Sequence, residues 1–235
     1  MLFTPSLLVF DLDGTLIDSR IDLSNSVNAM LSNFGKPPLA EHIISSYIGD
    51  GASTLVRRAL AHTHLIADQP DPHDDAFVEE ALLWFIEWYR LHKLDHTYVY
   101  PGVLESMRAI RQRHPALPMA ILTNKPVGPS RAIAAHFGFD RLCFKTYGGD
   151  SFPTKKPHPQ GLLTLIAEAS ALTGSPVNPA QTVMIGDSHI DVETARAAGT
   201  LALGCSFGLS PDTLAAAHPD FSVDHAADWP AAVNL

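Results

Sequence analysis

Short apolar runs alternate with amphipathic stretches along most of this chain, and several of the runs end abruptly in polar residues. Leu7-Leu8-Val9-Phe10 meets Asp11-Leu12-Asp13-Gly14-Thr15, Met119-Ala120-Ile121-Leu122 meets Thr123-Asn124-Lys125, and Thr182-Val183-Met184-Ile185 meets Gly186-Asp187. Runs of this length bounded by turn signals predict strands covered on both faces. Leu201 to Cys205 is a further strand, with weaker ones at Phe144 to Tyr147 and Phe221 to Val223, and strand character also begins at Tyr98. Between the runs lie stretches with helical apolar spacing: Pro101 to Arg113, Pro129 to Phe137, Pro159 to Leu172 and Ile190 to Ala198. Strands alternating with helices predict an α/β fold, a Rossmann-like parallel sheet with helices on both faces.

One block breaks the alternation. From Ile21 to Phe34, Ala40 to Ile48, Ser53 to about Leu65 and Phe77 to His92 the apolar spacing is helical throughout. Gly35 and Gly49-Asp50-Gly51 interrupt it, and the proline- and acid-rich Asp68-Gln69-Pro70-Asp71-Pro72 reads as a loop. The expectation is an α/β core of residues 1–15 and 97–235, with an all-helical domain of residues 16–96, free of strands, inserted after the first strand.

Composition narrows the classes of function. With 46% apolar residues the chain has ample material for a packed core. A net charge of −9 without a basic block argues against nucleic acid or an anionic membrane as partners. An acidic protein that binds an anion must do so locally, through a cation or a few placed Lys and Arg. Cys143 and Cys205 are the only cysteines and fit no metal-ligand spacing or disulfide framework, so the expected compartment is the cytoplasm. No basic leader precedes Asp11, and no apolar run reaches the length of a membrane span.

The carboxyl ends of parallel strands lie along one edge of a sheet, so residues far apart in sequence converge there. Asp11 and Asp13, two apart, can face one site. Two such close like charges make sense with a divalent cation between them, or with one acting as acid–base partner of the other. Thr123, Asn124, Asp187 and Asp191 join them at that edge, as does Lys156, just before a helix. Each also has a plainer role: Asp187 and Asp191 can cap the following helix, Thr123 can end a strand, and Lys155 can be solvated. Lys125 falls near the site with contact to substrate left open. The twelve histidines, among them His62, His64, His92 and His96, suggest a second metal only weakly, and most of them read as surface residues.

With these residues in place the chain resembles the haloacid dehalogenase-like superfamily, over essentially its whole length. The four motifs of that family stand in order as Asp11-Leu12-Asp13-Gly14-Thr15, Thr123-Asn124-Lys125, Lys156-Pro157 and Gly186-Asp187-Ser188-His189-Ile190-Asp191. A helical cap after the first motif resembles the C1-capped subfamily. Tyr47-Ile48-Gly49-Asp50-Gly51-Ala52, Arg58-Ala59-Leu60, Tyr100-Pro101-Gly102-Val103 and Tyr147-Gly148-Gly149-Asp150 look most like the phosphoglycolate phosphatase group. The resemblance implies a phosphatase with an aspartyl-phosphate on Asp11 and acid–base work by Asp13. It implies phosphate held by Thr123, the Asn124 backbone and Lys156, and Mg²⁺ held by Asp11, the Asp13 carbonyl and Asp187, with Asp191 orienting the metal shell. A small phosphomonoester is the implied partner, 2-phosphoglycolate foremost, with Arg20, Arg57 or Arg58 of the cap as candidate grips on its carboxylate. Pyrophosphate, sugar phosphates and nucleotide monophosphates are further candidates, and a monomer and a homodimer are equally compatible with the sequence.

Three other readings compete. Gly204-Cys205-Ser206-Phe207-Gly208 matches the Gly-x-Ser-x-Gly nucleophile elbow, but Leu209-Ser210-Pro211 interrupts the helix that should follow, and only about thirty residues remain for two triad partners. A phosphoaccepting signalling module resembling receiver domains also combines acidic residues, a Thr and a Lys, but without Asp-x-Asp on the first strand or a helical insert. Within the superfamily, a dehalogenase is disfavoured by Asp13, and a phosphomutase would be revealed by isomerised sugar phosphate in place of free phosphate.

Overall fold

Leu7, Leu8, Val9 and Phe10 are all fully buried, and they form the strand β1 (Leu7–Phe10) at the middle of the sheet. The computed structural model describes residues 4–66 and 75–235, and the expected loop Asp68–Pro72 lies outside them. The chain divides into two units, one of Met1–Asp18 with Val99–Leu235, the other of Ser19–Tyr98.

In the first unit β1 is followed by β2 (Ile17–Asp18), and β3 (Tyr98–Val99) pairs with β2 as a separate two-stranded ladder at the two crossings between units. The remaining strands are β4 (Met119–Leu122), β5 (Lys145–Tyr147), β6 (Thr182–Gly186), β7 (Leu201–Cys205) and β8 (Phe221–Val223). They join β1 in a six-stranded sheet of order β5-β4-β1-β6-β7-β8, parallel at every pairing. The α/β fold expected from the alternation is therefore present, with the first strand central.

Register sets the height of the strand ends. Phe10 pairs with Ile121 of β4 and with Ile185 of β6, and β4 and β6 run one residue further, to Leu122 and Gly186, so the three strands end within one residue of each other. The next amides extend it by one bond: Asp11 N donates to Ile185 O at 2.8 Å and Thr123 N to Tyr147 O at 3.0 Å. Sequence positions 11, 123 and 187 thus emerge along one edge.

Numbered along the whole chain, the helices of the second unit are α1 (Arg20–Asn33), α2 (Glu41–Ser45), α3 (Ala52–Ile66) and α4 (Asp75–His92). Those of the first unit are α5 (Val103–Arg113), α6 (Val127–Phe137), α7 (Gln160–Thr173), α8 (His189–Ala198), α9 (Pro211–Ala217) and α10 (Trp229–Ala232). Each unit has its own core. Leu7, Val9, Ala120 and Met184 of the sheet pack with Leu162, Leu165 and Ile166 of α7 and with Val192 and Ala195 of α8. Phe10 lies 5.3 Å, ring to ring, from Trp229. In the second unit Leu23, Val27 and Met30 of α1 pack with Val56, Ala59 and Leu60 of α3 and Val78, Ala81 and Phe85 of α4.

Two expectations are corrected. The stretch 16–96 is not free of strand: Ile17–Asp18 pairs within the β2–β3 ladder. Helix α6 begins at Val127, two residues before the expected Pro129, because the Asp150 side chain accepts from Val127 N at 2.7 Å and caps the helix from a distant loop.

Candidate active site

Asp11, Asp13, Thr123, Asn124, Lys156, Asp187 and Asp191 all come from the first unit, and hydrogen bonds tie most of them together. Lys156 is the hub. Its ammonium, 4% exposed as a residue, lies 2.9 Å from Asp11 Oδ1 and 2.6 Å from Asp191 Oδ1. Asn124 Nδ2 donates to the Lys156 carbonyl at 3.0 Å, linking the end of β4 to the loop that carries the lysine. That loop includes the cis bond Lys156-Pro157. Thr123 is buried, and its hydroxyl accepts from Lys125 N at 3.2 Å.

Asp187 is held from three sides. Leu209 N donates to Oδ2 at 2.7 Å and the Thr15 hydroxyl to Oδ1 at 3.3 Å. Two backbones press against it: a Cβ on Gly14, whose φ is +86°, would lie 2.2 Å from Asp187 Oδ2, and one on Gly208 would lie 2.2 Å from Asp187 Cβ. Gly14 therefore combines a left-handed turn with an approach no side chain permits.

Asp191 reconciles two readings that looked like rivals. Its Oδ2 accepts from Ser188 N at 3.2 Å and from Ser188 Oγ at 2.8 Å, a capping box at the start of α8. Its Oδ1 meanwhile faces Lys156. One carboxylate caps the helix and pairs with Lys156.

The electrostatics follow from burial. Desolvation pushes the Asp11 carboxyl up from 3.8 to about 7, against the pull of Lys156 and with a further upward push from Asp191. Asp187 is likewise raised well above 3.8, by burial first and then by the charges of Asp191 and Asp11. Burial alone would lower Lys156, but Asp11 and Asp191 outweigh it and carry it to about 12. One ammonium facing three buried carboxylates leaves the cluster short of positive charge. Among the described residues, Asp11, Asp187 and Asp191 form the one group of metal-competent side chains, each offering an oxygen within 4.8 Å of the others. A hard divalent cation suits an all-oxygen donor set of this kind.

The remaining candidates have other partners or belong to the other unit. Arg57 pairs with the exposed Asp75 at 2.7 Å and Arg58 with Asp50 at 2.6 Å, while Arg20, half-buried, opens α1; all belong to the second unit. Ser206 lacks the elbow's context: its hydroxyl, with one proton to donate, lies within hydrogen-bond reach of Val223 O and Asp224 Oδ1, and a turn separates it from α9. The final glycine of that motif serves Asp187 instead. His62 bonds Tyr47 Oη at 2.8 Å and His92 bonds Asp95 at 2.8 Å, and among the described residues neither belongs to a group of three metal-competent side chains.

Two residues that the sequence reading left unassigned carry structural weight. Lys125 Nζ lies 3.0 and 3.1 Å from the two oxygens of Asp13. Asp22, 1% exposed, accepts from His96 N, Thr97 N and Thr97 Oγ1. Both pairings join residues more than seventy positions apart, which no local pattern announces.

A parallel sheet with four motif-bearing loops, three buried carboxylates and a lysine at its carboxyl edge defines a hydrolase of the haloacid dehalogenase type. The family model for haloacid dehalogenase-like hydrolases matches residues 5–199, and the chain belongs to that family, on its phosphatase side. It is 41% identical over 208 residues to a phosphoglycolate phosphatase of Pseudomonas putida, covering 87% of this chain and 70% of the relative. It is 38% identical to one from Chromobacterium violaceum, covering 86% and 85%. A crystal structure described as a predicted phosphoglycolate phosphatase from Haemophilus somnus 129pt superimposes with a TM-score of 0.85 at 30% identity, covering 95% of this chain and 96% of that one.

Proposed function

We propose that this chain hydrolyses a small phosphomonoester, 2-phosphoglycolate foremost, by passing the phosphoryl group through Asp11 with Mg²⁺ as cofactor. The observation that carries the reading is the buried Lys156 ammonium 2.9 Å from the Asp11 carboxylate, at the edge where Asp187 and Asp191 also gather. The relatives' names supply the substrate.

Asp11 acts as nucleophile. Its attack brings a carboxylate against a phosphate dianion, a repulsion of about 4 kcal/mol per charge pair at 4 Å and an effective dielectric near 20. Lys156 offsets part of this and offers positive charge to the transferring oxygens. Thr123 Oγ1 and Asn124 N orient the phosphoryl group in line with Asp11 Oδ. The cation, held by Asp11, Asp187 and the Asp13 carbonyl with Asp191 beside them, supplies further charge neutralisation at the phosphoryl oxygens when bound. Asp13 gives a proton to the leaving alkoxide, then removes one from the water that hydrolyses the acyl phosphate on Asp11. Both half-reactions use one carboxyl. The helical unit is assigned the family's cap role, with Arg20, Arg57 and Arg58 as its candidate grips on a substrate carboxylate.

The test is phosphate release from a panel of small phosphomonoesters and pyrophosphate, with Mg²⁺ or with chelator. Turnover should need the cation and be highest on 2-phosphoglycolate, and Asp11→Asn should lower it by at least about four orders of magnitude. Full turnover in Asp11→Asn would refute the nucleophile. Isomerised sugar phosphate would mark a mutase, and a single unreleased phosphate per chain would mark a signalling module.

A further inference from the structure

The Asp-x-Asp pair is served by two different buried lysines. Lys156 faces Asp11 and Asp191, whereas Lys125, its side chain 4% exposed, faces Asp13, whose side chain is 11% exposed. The contact is two-pronged, with Nζ at 3.0 Å from one Asp13 oxygen and 3.1 Å from the other. Both backbone sides of Lys125 are pinned as well. Its N–H donates to Thr123 Oγ1 at 3.2 Å, and its carbonyl accepts from Gly149 N at 2.9 Å. The lysine stem is thus anchored at its root and at its tip.

Burying an ammonium and ordering its four-carbon stem is costly, and a buried ion pair seldom repays that cost as stability. Geometry is the better reason for it. A carboxyl that must reach first a leaving oxygen and then a water loses rate steeply when misplaced by about 1 Å. We infer that Lys125 is a positioning residue: it fixes the rotamer of Asp13, and acts on the reaction through that carboxyl rather than by holding substrate. The inference rests on the proposed role of Asp13 as acid and base.

Leaving groups separate this from a substrate contact, because the specificity constant reports events only up to the first irreversible step, transfer to Asp11. An alkyl phosphate needs the acid in that step, and p-nitrophenyl phosphate, whose leaving group is stable as an anion, needs it far less. On the best alkyl ester of the panel, Lys125→Met should lower kcat/KM by about 30-fold, within the range of general acid catalysis, and on p-nitrophenyl phosphate by about 3-fold. In an Asp13→Asn background it should cost less than about 2-fold more, since paired groups are not additive. Lys125→Arg, which keeps charge and bulk, should recover part of the alkyl rate and serves where the Met variant melts early. Equal losses on both esters, or full additivity with Asp13→Asn, would overturn the inference and make Lys125 a substrate ligand. Unimpaired turnover in Asp11→Asn would instead strike the phosphatase reading itself.

Discussion

At the scale of the residue, the site is a problem in stored charge. Asp11 is raised to about 7 because burial outweighs the attraction of Lys156, so the folded chain resists ionising it while the unfolded chain does not. The sign follows directly. Below the unfolded value of 3.8 both states hold the proton and nothing is lost; as pH climbs from about 4 to about 7 the unfolded state gives up its proton first, and stability falls. Asp11→Asn removes that titration. In cation-free protein the melting temperature of wild type should therefore drop relative to Asp11→Asn as pH rises through this window and level off above it. A difference independent of pH would show that Asp11 is ionised without penalty. The proposed role of Asp11 gives this cost a reason: a carboxylate held away from water beside a lysine is relieved by a phosphoryl group or a cation.

At the scale of the element, legibility tracks the range of the interaction. The strands β1, β4 and β6 could be read from the sequence because four or five consecutive apolar residues must be covered on both faces, and their ends named Asp11, Thr123 and Asp187. Asp191 was legible twice over, as a cap and as a candidate site residue; the capping box is present, and its other oxygen faces Lys156. The four-residue helix α10 was not legible: it has Pro230 in its first turn, and Trp229, fully buried against Phe10, declares itself only in three dimensions. Lys125 reads as a third polar residue in a turn until Asp13 arrives from 112 positions away. Asp22 reads as an ordinary acid in the first turn of α1, yet it takes four contacts from His96 and Thr97 between 2.7 and 3.1 Å. Removing it leaves the buried amide and hydroxyl of Thr97 without this partner, so Asp22→Ala should cost the helical unit about 3 kcal/mol, measured by urea denaturation, with Asp22→Asn losing less. A loss below about 1 kcal/mol would mean that water replaces the carboxylate.

At the scale of the whole molecule, an acidic chain that takes an anionic ester must place its cations locally, and the two buried lysines, Lys125 and Lys156, both belong to the sheet-containing unit. The carboxylates that fit a cation, Asp11, Asp187 and Asp191, sit at the ends of strands or the start of α8 in the sheet-containing unit, whereas the helical unit has a separate core built on α1, α3 and α4. Ligand that binds only the folded form stabilises the part of the chain that forms its site. Mg²⁺ at about 100 times its dissociation constant should add about 2.7 kcal/mol to that part. Amide exchange should accordingly slow in β1, β4, β6 and the first turn of α8 on adding Mg²⁺ without substrate, and change little in α1, α3 and α4. Asp187→Asn should abolish the slowing, because Leu209 N and Thr15 Oγ1 hold this carboxylate at the site without neutralising it. Equal slowing in both units would mean that the cation is felt by the chain as one cooperative body, and none in either would remove the buried acidic cluster as the cation site.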